Sequence, residues 1–596
     1  MIDNKSKHLE TYTHMQKIYT VLMSKLHKLN NWQTAIILTV FSFAIYSVGL
    51  FDPFIGDDTE QIVNNTPVHS ISNLGLFFKG GTFYNGQRLT GVYYRPFMTT
   101  VYSIVYSLFG PHPFYFHIFQ LVVFMGSALL LYLFFRFFFQ PTLSLVLTLL
   151  FVVHPIDSQA VYAIACMQDV LFLFFGILGL YLLKKNSSIK SLLLVAVCLL
   201  ISLFSKETGV LFVFMAAVLL FWQDRRRLLP FVSIMLVPIT LWFVLKVHAI
   251  GLSPNPSNAP IDNLDFYARL LTMPSLIQFY ITKFIFPFKI ASEYYWVYKK
   301  FSVTHVLVPL IIDLAVVGLI IYTSQVIRKK APKAQYHAFL FFAIWCAVGL
   351  LVDLQIIPLD MTASAVWFYF PMVGVLGMIG VVANNAIIKI KAPMRLKSAI
   401  IVILLIGLAA ISITQGFQWR NPTELYTHDI ADSKEDFAAY SVLGTDLFNQ
   451  GNYNQAKPYV VRSISIYPTA ANYQTLGAIY TEEGNFHGAL DAFNMAAKYK
   501  ATATSTLYND IADLTLVLGN FSSNSLYIKN ALNYYPNDYQ LWLILALLDQ
   551  KNNDNPDAKY AIYEASINGP VPSAVVNYIQ SNKPFYIPLG PRNVYI

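Results

Sequence analysis

Two adjacent carboxylates, Asp57 and Asp58, follow the run Phe51-Asp52-Pro53-Phe54-Ile55-Gly56, just past a stretch apolar enough to cross a bilayer. One such carboxylate can act as general base for a hydroxyl, while its neighbour orients that hydroxyl or holds a divalent cation. Groups suited to a phosphate are spread further along the chain. Arg95, in Tyr94-Arg95-Pro96, offers a two-pronged guanidinium. His117 and His154 offer ring N–H groups, and Lys206 offers an ammonium with Glu207 beside it. Tyr94, Gln159 and Asp169 are secondary candidates. Each group alone has an ordinary reading: a helix cap, a snorkelling arginine, a satisfied histidine, an ion pair at a hairpin tip. Their shared placement on one side of a membrane favours the chemical reading.

No HExxH or CxxC spacing occurs, so no residue is assigned to a metal, and the need for a divalent ion stays open. No GxxxxGKS or GxGxxG loop occurs either. ATP-driven transport and use of a nucleotide sugar inside the cell therefore find no support. Cys166, Cys198 and Cys346 lie in or beside apolar runs and read as buried, inert thiols. Asn64-Asn65-Thr66 matches a glycosylation sequon, a pattern too short to carry weight.

The elements that must position these groups follow from composition. Of 596 residues 12% are charged, against roughly 25% in a soluble domain. That excludes an ordinary soluble enzyme and a disordered chain, and it points to a polytopic membrane protein. From Arg420 onward there are 11 Lys and Arg against 16 Asp and Glu, whereas the earlier part has 30 against 16. A basic membrane part thus precedes an acidic soluble part. The basic excess reads as topology, with no nucleic acid implied.

Apolar runs predict about eleven spans, at 33–51, 116–137, 142–155, 160–183, 191–205, 208–223, 228–248, 305–327, 336–352, 366–384 and 398–416. The N-terminal lysines, Lys184/Lys185/Lys190, Arg225/Arg226/Arg227, Arg328/Lys329/Lys330/Lys333 and Lys389/Lys391/Arg395/Lys397 mark the cytoplasmic side. An even number of crossings must separate the Arg225 and Arg328 clusters. The run 268–287, broken by Pro274, Lys283 and Pro287, is therefore read as an interfacial or re-entrant helix. The expected division is a cytoplasmic segment 1–32, a membrane domain 33–419 with an outer loop 52–115, and an extracytoplasmic domain 420–596. Short helices along the membrane surface are expected in that loop. The N-terminus is inside and the C-terminus outside, and no cleavable leader precedes the first span.

After residue 420, Gly451-Asn452-Tyr453, Gly484-Asn485-Phe486 and Gly519-Asn520-Phe521 recur at intervals of 33 and 35. That is the tetratricopeptide period. Leu443-Gly444 and Leu476-Gly477 take the paired Leu-Gly positions, Ala456, Ala489 and Ala558 the helix contacts, and Pro468, Pro536 and Pro570 the unit ends. Four repeats, about 437–570, fit this register. Such repeats stack into a superhelix whose concave face holds a polypeptide.

The order Asp57-Asp58, Tyr94-Arg95-Pro96, His117, His154-Pro155 with Ala160-Val161, Ser205-Lys206-Glu207 and then the repeats resembles the transmembrane and tetratricopeptide-repeat O-mannosyltransferases. More broadly it resembles the GT-C class of polyprenyl-phosphate-sugar glycosyltransferases. The resemblance implies an all-α, GT-C-like membrane bundle followed by a tetratricopeptide superhelix. It implies transfer of a sugar, mannose or another hexose, from a polyprenyl-phosphate carrier to a protein Ser or Thr hydroxyl, with inversion. It implies that Asp57 and Asp58 are catalytic, and that Arg95, His117, His154, Lys206 and Glu207 stand near the carrier phosphate. Trp419-Arg420-Asn421 and Leu425-Tyr426 resemble the junction before the repeats.

Three elements depart from the family pattern. Gln159 replaces an acid, Cys166-Met167-Gln168-Asp169 keeps only the acid of a Gly-Arg-x-acid element, and Ala365-Val366 replace an acid-Arg pair before Trp367-Phe368-Tyr369-Phe370-Pro371. These departures leave a second reading, a non-catalytic membrane scaffold that presents the repeats for protein binding. A lipid-carrier flippase is a third reading, disfavoured because the charges gather at one face. The partners expected are the lipid-linked donor, an acceptor polypeptide and the bilayer. A bacterial plasma membrane is favoured over the endoplasmic reticulum.

Overall fold

The computed structural model describes residues 30–86, 88–252, 259–385, 393–499, 505–518, 521–581, 586–589 and 592–595. The N-terminal lysines, Lys389, Lys391 and Gly519-Asn520 lie outside the described residues. Helices dominate. The strands among the described residues form two small antiparallel hairpins, Phe83–Tyr84 with Leu89–Thr90 and Tyr586–Leu589 with Arg592–Tyr595.

Among the described residues eight helical segments are long and apolar enough to cross a membrane: Asn31–Gly49, Pro113–Phe135, Ile164–Lys185, Arg225–Ile250, Val303–Lys330, Lys333–Asp353, Ala365–Asn384 and Arg395–Gln418. A ninth candidate, Pro141–Val153 with Pro155–Tyr162, bends by 54° at His154. Pro155 explains the break, because it disfavours helical geometry in the residue before it. Ser191–Ser205 and Glu207–Gln223 are apolar but shorter, as is Pro96–Phe109. Helix Phe266–Ile285 is not among the segments that meet the spanning criterion. The chain is thus a multi-pass membrane protein.

Burial separates the spans. Ile164–Lys185 and Ala365–Asn384 are 72% buried and sit at the core of the bundle. Glycines let their neighbours close in: a Cβ at Gly176 would fall 2.2 Å from the Phe212 ring. Arg225–Ile250, Val303–Lys330 and Arg395–Gln418 are at most 17% buried. Their apolar faces suit lipid, which costs them nothing.

The loop 52–115 folds into short helices, Thr59–Val63, Thr66–His69, Ile71–Asn73 and Leu74–Phe77, then the first hairpin and Pro96–Phe109.

The chain splits into compact units Met1–Lys434 and Glu435–Ile596. The boundary therefore falls after the expected position at 420. Helix Pro422–Asp432 stays with the first unit because Asp429 is buried there, accepting from the Ser292 backbone N–H at 3.1 Å and from the Ser292 hydroxyl.

The second unit contains four helix pairs: Phe437–Asn449 with Tyr453–Ile466, Ala470–Glu482 with Phe486–Ala497, Ser505–Leu518 with Phe521–Leu532, and Tyr539–Lys551 with Asn555–Asn568. Helix Ser573–Ser581 follows. Gly477 shows why the Leu-Gly pair recurs: a Cβ there would lie 2.6 Å from Phe493, on the second helix of its own pair. The fold is all-α, a polytopic bundle followed by tetratricopeptide-like repeats.

Candidate functional site

Asp57 leaves the first span through Gly56, whose φ of 58° is left-handed. A Cβ at Gly56 would meet the Tyr426 hydroxyl at 3.0 Å, so the turn needs glycine on both counts. Gln61 Nε2 donates to Asp57 Oδ2 at 3.3 Å. Asp57 remains solvent-accessible, yet protein surrounds it closely. Burial, then the charge of Asp360, push its carboxyl above the usual range, while Arg95 opposes them.

Asp58 does a different job. It is 2% exposed, and its oxygens accept from the backbone N–H groups of Ala165 at 2.5 Å and Ile55 at 3.2 Å. Burial pushes it up to about 7 against those stabilising hydrogen bonds. The two carboxylates are thus placed differently: Asp57 is exposed, and Asp58 ties the loop to the start of a core span.

Each cation is held by an acid, Arg95 by half-buried Glu207 and Lys206 by buried Asp169. Arg95 Nε donates to Glu207 Oε2 at 3.3 Å, and the Tyr94 backbone N–H donates to Glu207 Oε1 at 2.8 Å. The Arg95 guanidinium lies 3.9 Å over the Tyr93 ring. Lys206 Nζ stands 2.6 Å from Asp169 Oδ1, with little solvent on either side chain. The charges of Glu207, Asp169 and Asp360 all act on Arg95. Asp57, Arg95, Lys206, Glu207 and Asp169 thus belong to one electrostatic cluster.

The two histidines are placed differently from expectation. His154 is 3% exposed. Its Nδ1 accepts from the Ile156 N–H at 3.2 Å, so Nε2 carries the proton and donates to the Phe284 carbonyl at 2.9 Å. Both nitrogens are used by the fold, and none is left for a phosphate. His117 is 4% exposed and hydrogen-bonds to the Asp52 backbone, while its Nε2 has no partner among the described residues. Gln159 accepts from Ser364 Oγ at 3.3 Å.

Sequence reasoning missed four residues. Tyr93 donates its hydroxyl to Asp360. Asp360 sits on a loop shaped by buried Gln355, whose amide donates to Met361 O at 2.8 Å and Thr362 O at 2.9 Å. Tyr294 pairs with Ala363 and Thr362, which joins this loop to the segment bearing Glu293. Glu293 accepts from Tyr295 at 2.5 Å, and burial pushes it up to about 7, with the charge of Asp57 adding to the rise. Tyr426 feels the charges of Glu293, Asp57 and Asp58. Glu293 stands as a lone acid in the aromatic stretch Ser292-Glu293-Tyr294-Tyr295-Trp296, and Asp360 as a lone acid in the mostly aliphatic loop 354–364, the one signal that could have marked them. Among the described residues no group of three or more His, Cys, Asp or Glu side chains could hold a metal ion.

Chemically, the cluster offers an accessible carboxylate with a raised proton affinity beside a guanidinium and an ammonium, each held by an acid.

No family model matches the chain. Over 146 residues it is 31% identical to "Protein O-mannosyl-transferase TMTC1" of Homo sapiens, covering 23% of this chain and 16% of that protein. Over 154 residues it is 27% identical to "Protein O-mannosyl-transferase TMTC3" of Mus musculus, covering 25% and 16%. The matches span about a sixth of the length of these curated relatives. The resemblance to the transmembrane and tetratricopeptide-repeat O-mannosyltransferases therefore rests on part of the chain.

Among solved structures, ArnT from Cupriavidus metallidurans bound to undecaprenyl phosphate gives a TM-score of 0.34 at 14% identity, covering 77% of this chain and 79% of that one. The Cut9–Hcn1 hetero-tetramer of the APC/C gives 0.23 at 12% identity, covering 81% and 89%.

Proposed function

We propose that this chain is a membrane glycosyltransferase of GT-C type. It passes a hexose, mannose by resemblance, from a polyprenyl-phosphate carrier to a Ser or Thr hydroxyl of an extracytoplasmic polypeptide. The observation that carries this reading is the grouping of Asp57 with Arg95–Glu207 and Lys206–Asp169.

In this mechanism Asp57 accepts the proton of the acceptor hydroxyl as its oxygen attacks the anomeric carbon. The bond from that carbon to the carrier phosphate breaks with inversion. Arg95 and Lys206 stabilise the charge gathering on the departing phosphate. Glu207 and Asp169 hold those cations in place before the donor arrives, so little reorganisation accompanies the reaction. The raised proton affinity of Asp57 suits a base. The basic clusters favour a cytoplasmic N-terminus and put the site outside, and the repeats hold the acceptor polypeptide.

The test uses the full chain in lipid nanodiscs with a polyprenyl-phosphate mannose and extracytoplasmic acceptor proteins. Hexose appears on Ser or Thr with the wild type and is absent with Asp57→Asn. A wild type that transfers no hexose from any polyprenyl-phosphate sugar, in cells whose extracytoplasmic proteins are unchanged by the gene's loss, would leave the scaffold reading standing.

A further inference from the structure

Tyr426 comes from Pro422–Asp432, the last helix of the membrane unit. Two contacts fix where that helix lies. A Cβ at Gly56 would meet the Tyr426 hydroxyl at 3.0 Å, and the residue after Gly56 is Asp57. One turn further along, Asp429 accepts from the backbone N–H of Ser292, the neighbour of Glu293. The helix is thus pinned at Ser292, and the Tyr426 hydroxyl is set against the turn that carries the base.

The tyrosines nearby are used by the fold: Tyr93 donates to Asp360, and Tyr295 donates to Glu293. Tyr426 is not so used. Its hydroxyl makes no hydrogen bond among the described residues, and the side chain is half-buried, so it is not sealed from an incoming molecule. Burial, then the charges of Glu293, Asp429, Asp57 and Asp58, raise the pKa of the hydroxyl. It therefore stays protonated, a donor in want of an acceptor.

The charges acting on Tyr426 are those of acids, which makes this flank of Asp57 a poor place for a phosphate. The cations suited to one, Arg95 and Lys206, are those held by Glu207 and Asp169. An inverting displacement also needs the entering oxygen and the departing phosphate on opposite faces of the anomeric carbon. The Tyr426 flank accordingly suits the neutral acceptor. The attacking hydroxyl gives its proton to Asp57 and keeps its lone pair for the carbon. The oxygen that accepts from Tyr426 must then be another one on the same acceptor, and a peptide carbonyl is the one every polypeptide offers.

We propose, resting on the transferase reading, that Tyr426 positions the acceptor: its O–H donates to a backbone carbonyl beside the reactive Ser or Thr and so seats that residue's hydroxyl at Asp57. The phenol neither gains nor loses a proton over the cycle. Its contact is the same in the ground and transition states, so its loss acts on KM.

The test uses the full chain in lipid nanodiscs with a polyprenyl-phosphate mannose and serine-bearing peptides. Tyr426→Phe, which keeps the ring, should raise the KM for the peptide about tenfold, as loss of one hydrogen bond does. The kcat, the KM for the donor and the melting temperature should stay unchanged. Thiocarbonyls, poorer acceptors, in place of the carbonyls flanking the serine should weaken the wild type and cost Tyr426→Phe nothing further. A wild-type peptide KM in Tyr426→Phe overturns the proposal and leaves the transferase reading standing. So does a rise in the donor's KM in place of the peptide's, or a thiocarbonyl loss as large in the variant as in the wild type. A wild type that labels no peptide removes the transferase reading and this proposal with it.

Discussion

Asp58 accepts a 2.5 Å hydrogen bond from the backbone N–H of Ala165, across 107 residues of sequence. The contact fixes the exit of the first span against the start of a core span. It makes Asp58 a positioning residue for its neighbour Asp57. Asp57→Asn should then abolish hexose transfer with no change in thermal stability. Asp58→Ala, which strands two N–H groups, should destabilise the fold by about 1–3 kcal/mol and lower transfer only in part. Melting in detergent beside initial rates of transfer separates the two effects.

Stability should depend on pH through Asp58 and Glu293. Burial raises both acids to about 7, from ordinary values of 3.8 and 4.5. An acid raised on folding keeps its stabilising share below its unfolded pKa and loses it as pH climbs through the folded value. The melting temperature should therefore fall between about pH 4 and pH 7. The double variant Asp58→Asn with Glu293→Gln should flatten that fall. A profile as steep as the wild type's would count against these two groups as its source.

Activity should rise with pH over the range where Asp57 ionises, because the base works only when deprotonated. Asp360 lifts the proton affinity of Asp57. Asp360→Asn should consequently move the acid limb of the rate profile to lower pH. Tyr93→Phe frees Asp360 from its hydroxyl partner but leaves that charge in place. Its acid limb should not move downward. Rate profiles of both variants give the comparison.

Lys206 and Asp169 form a buried pair. Removing one partner strands the other charge and costs about 3–5 kcal/mol. Lys206→Met should therefore lower the melting temperature sharply, and adding Asp169→Leu should restore much of it. Neither variant should transfer sugar, since the ammonium proposed for the phosphate is gone from both. A double variant with normal transfer would remove Lys206 from the donor site.

The legible part of the site was carried by short motifs in a fixed order. Arg95 and Lys206-Glu207 are lone charges beside long apolar runs, and the cost of burying charge draws attention to them. The repeats were legible because Gly451 and Gly484 close their helices with φ values of 78° and 76° and recur at the period of a helix pair. The structural engagement of His154 could not be read from the sequence. The partner of His154 is the carbonyl of Phe284, 130 residues away, and any residue type could have supplied it. Asp360 and Glu293 were passed over because their loops are joined at the Tyr294–Ala363 bridge, a backbone contact with no side-chain signature. Helix Pro422–Asp432 looked like the start of the acidic part by charge, yet Asp429 ties it to Ser292 in the membrane unit.

The ammonium of Lys206 already has an anion, the Asp169 carboxylate, beside it. Under the proposed reaction the incoming carrier is a phosphodiester, and the spent carrier is a monoester with about one further negative charge. The leaving lipid would then compete with Asp169 for the lysine more strongly than the arriving one did. Turnover would be paced by departure of the discharged carrier, and accumulating carrier phosphate would brake the enzyme before the acceptor ran out.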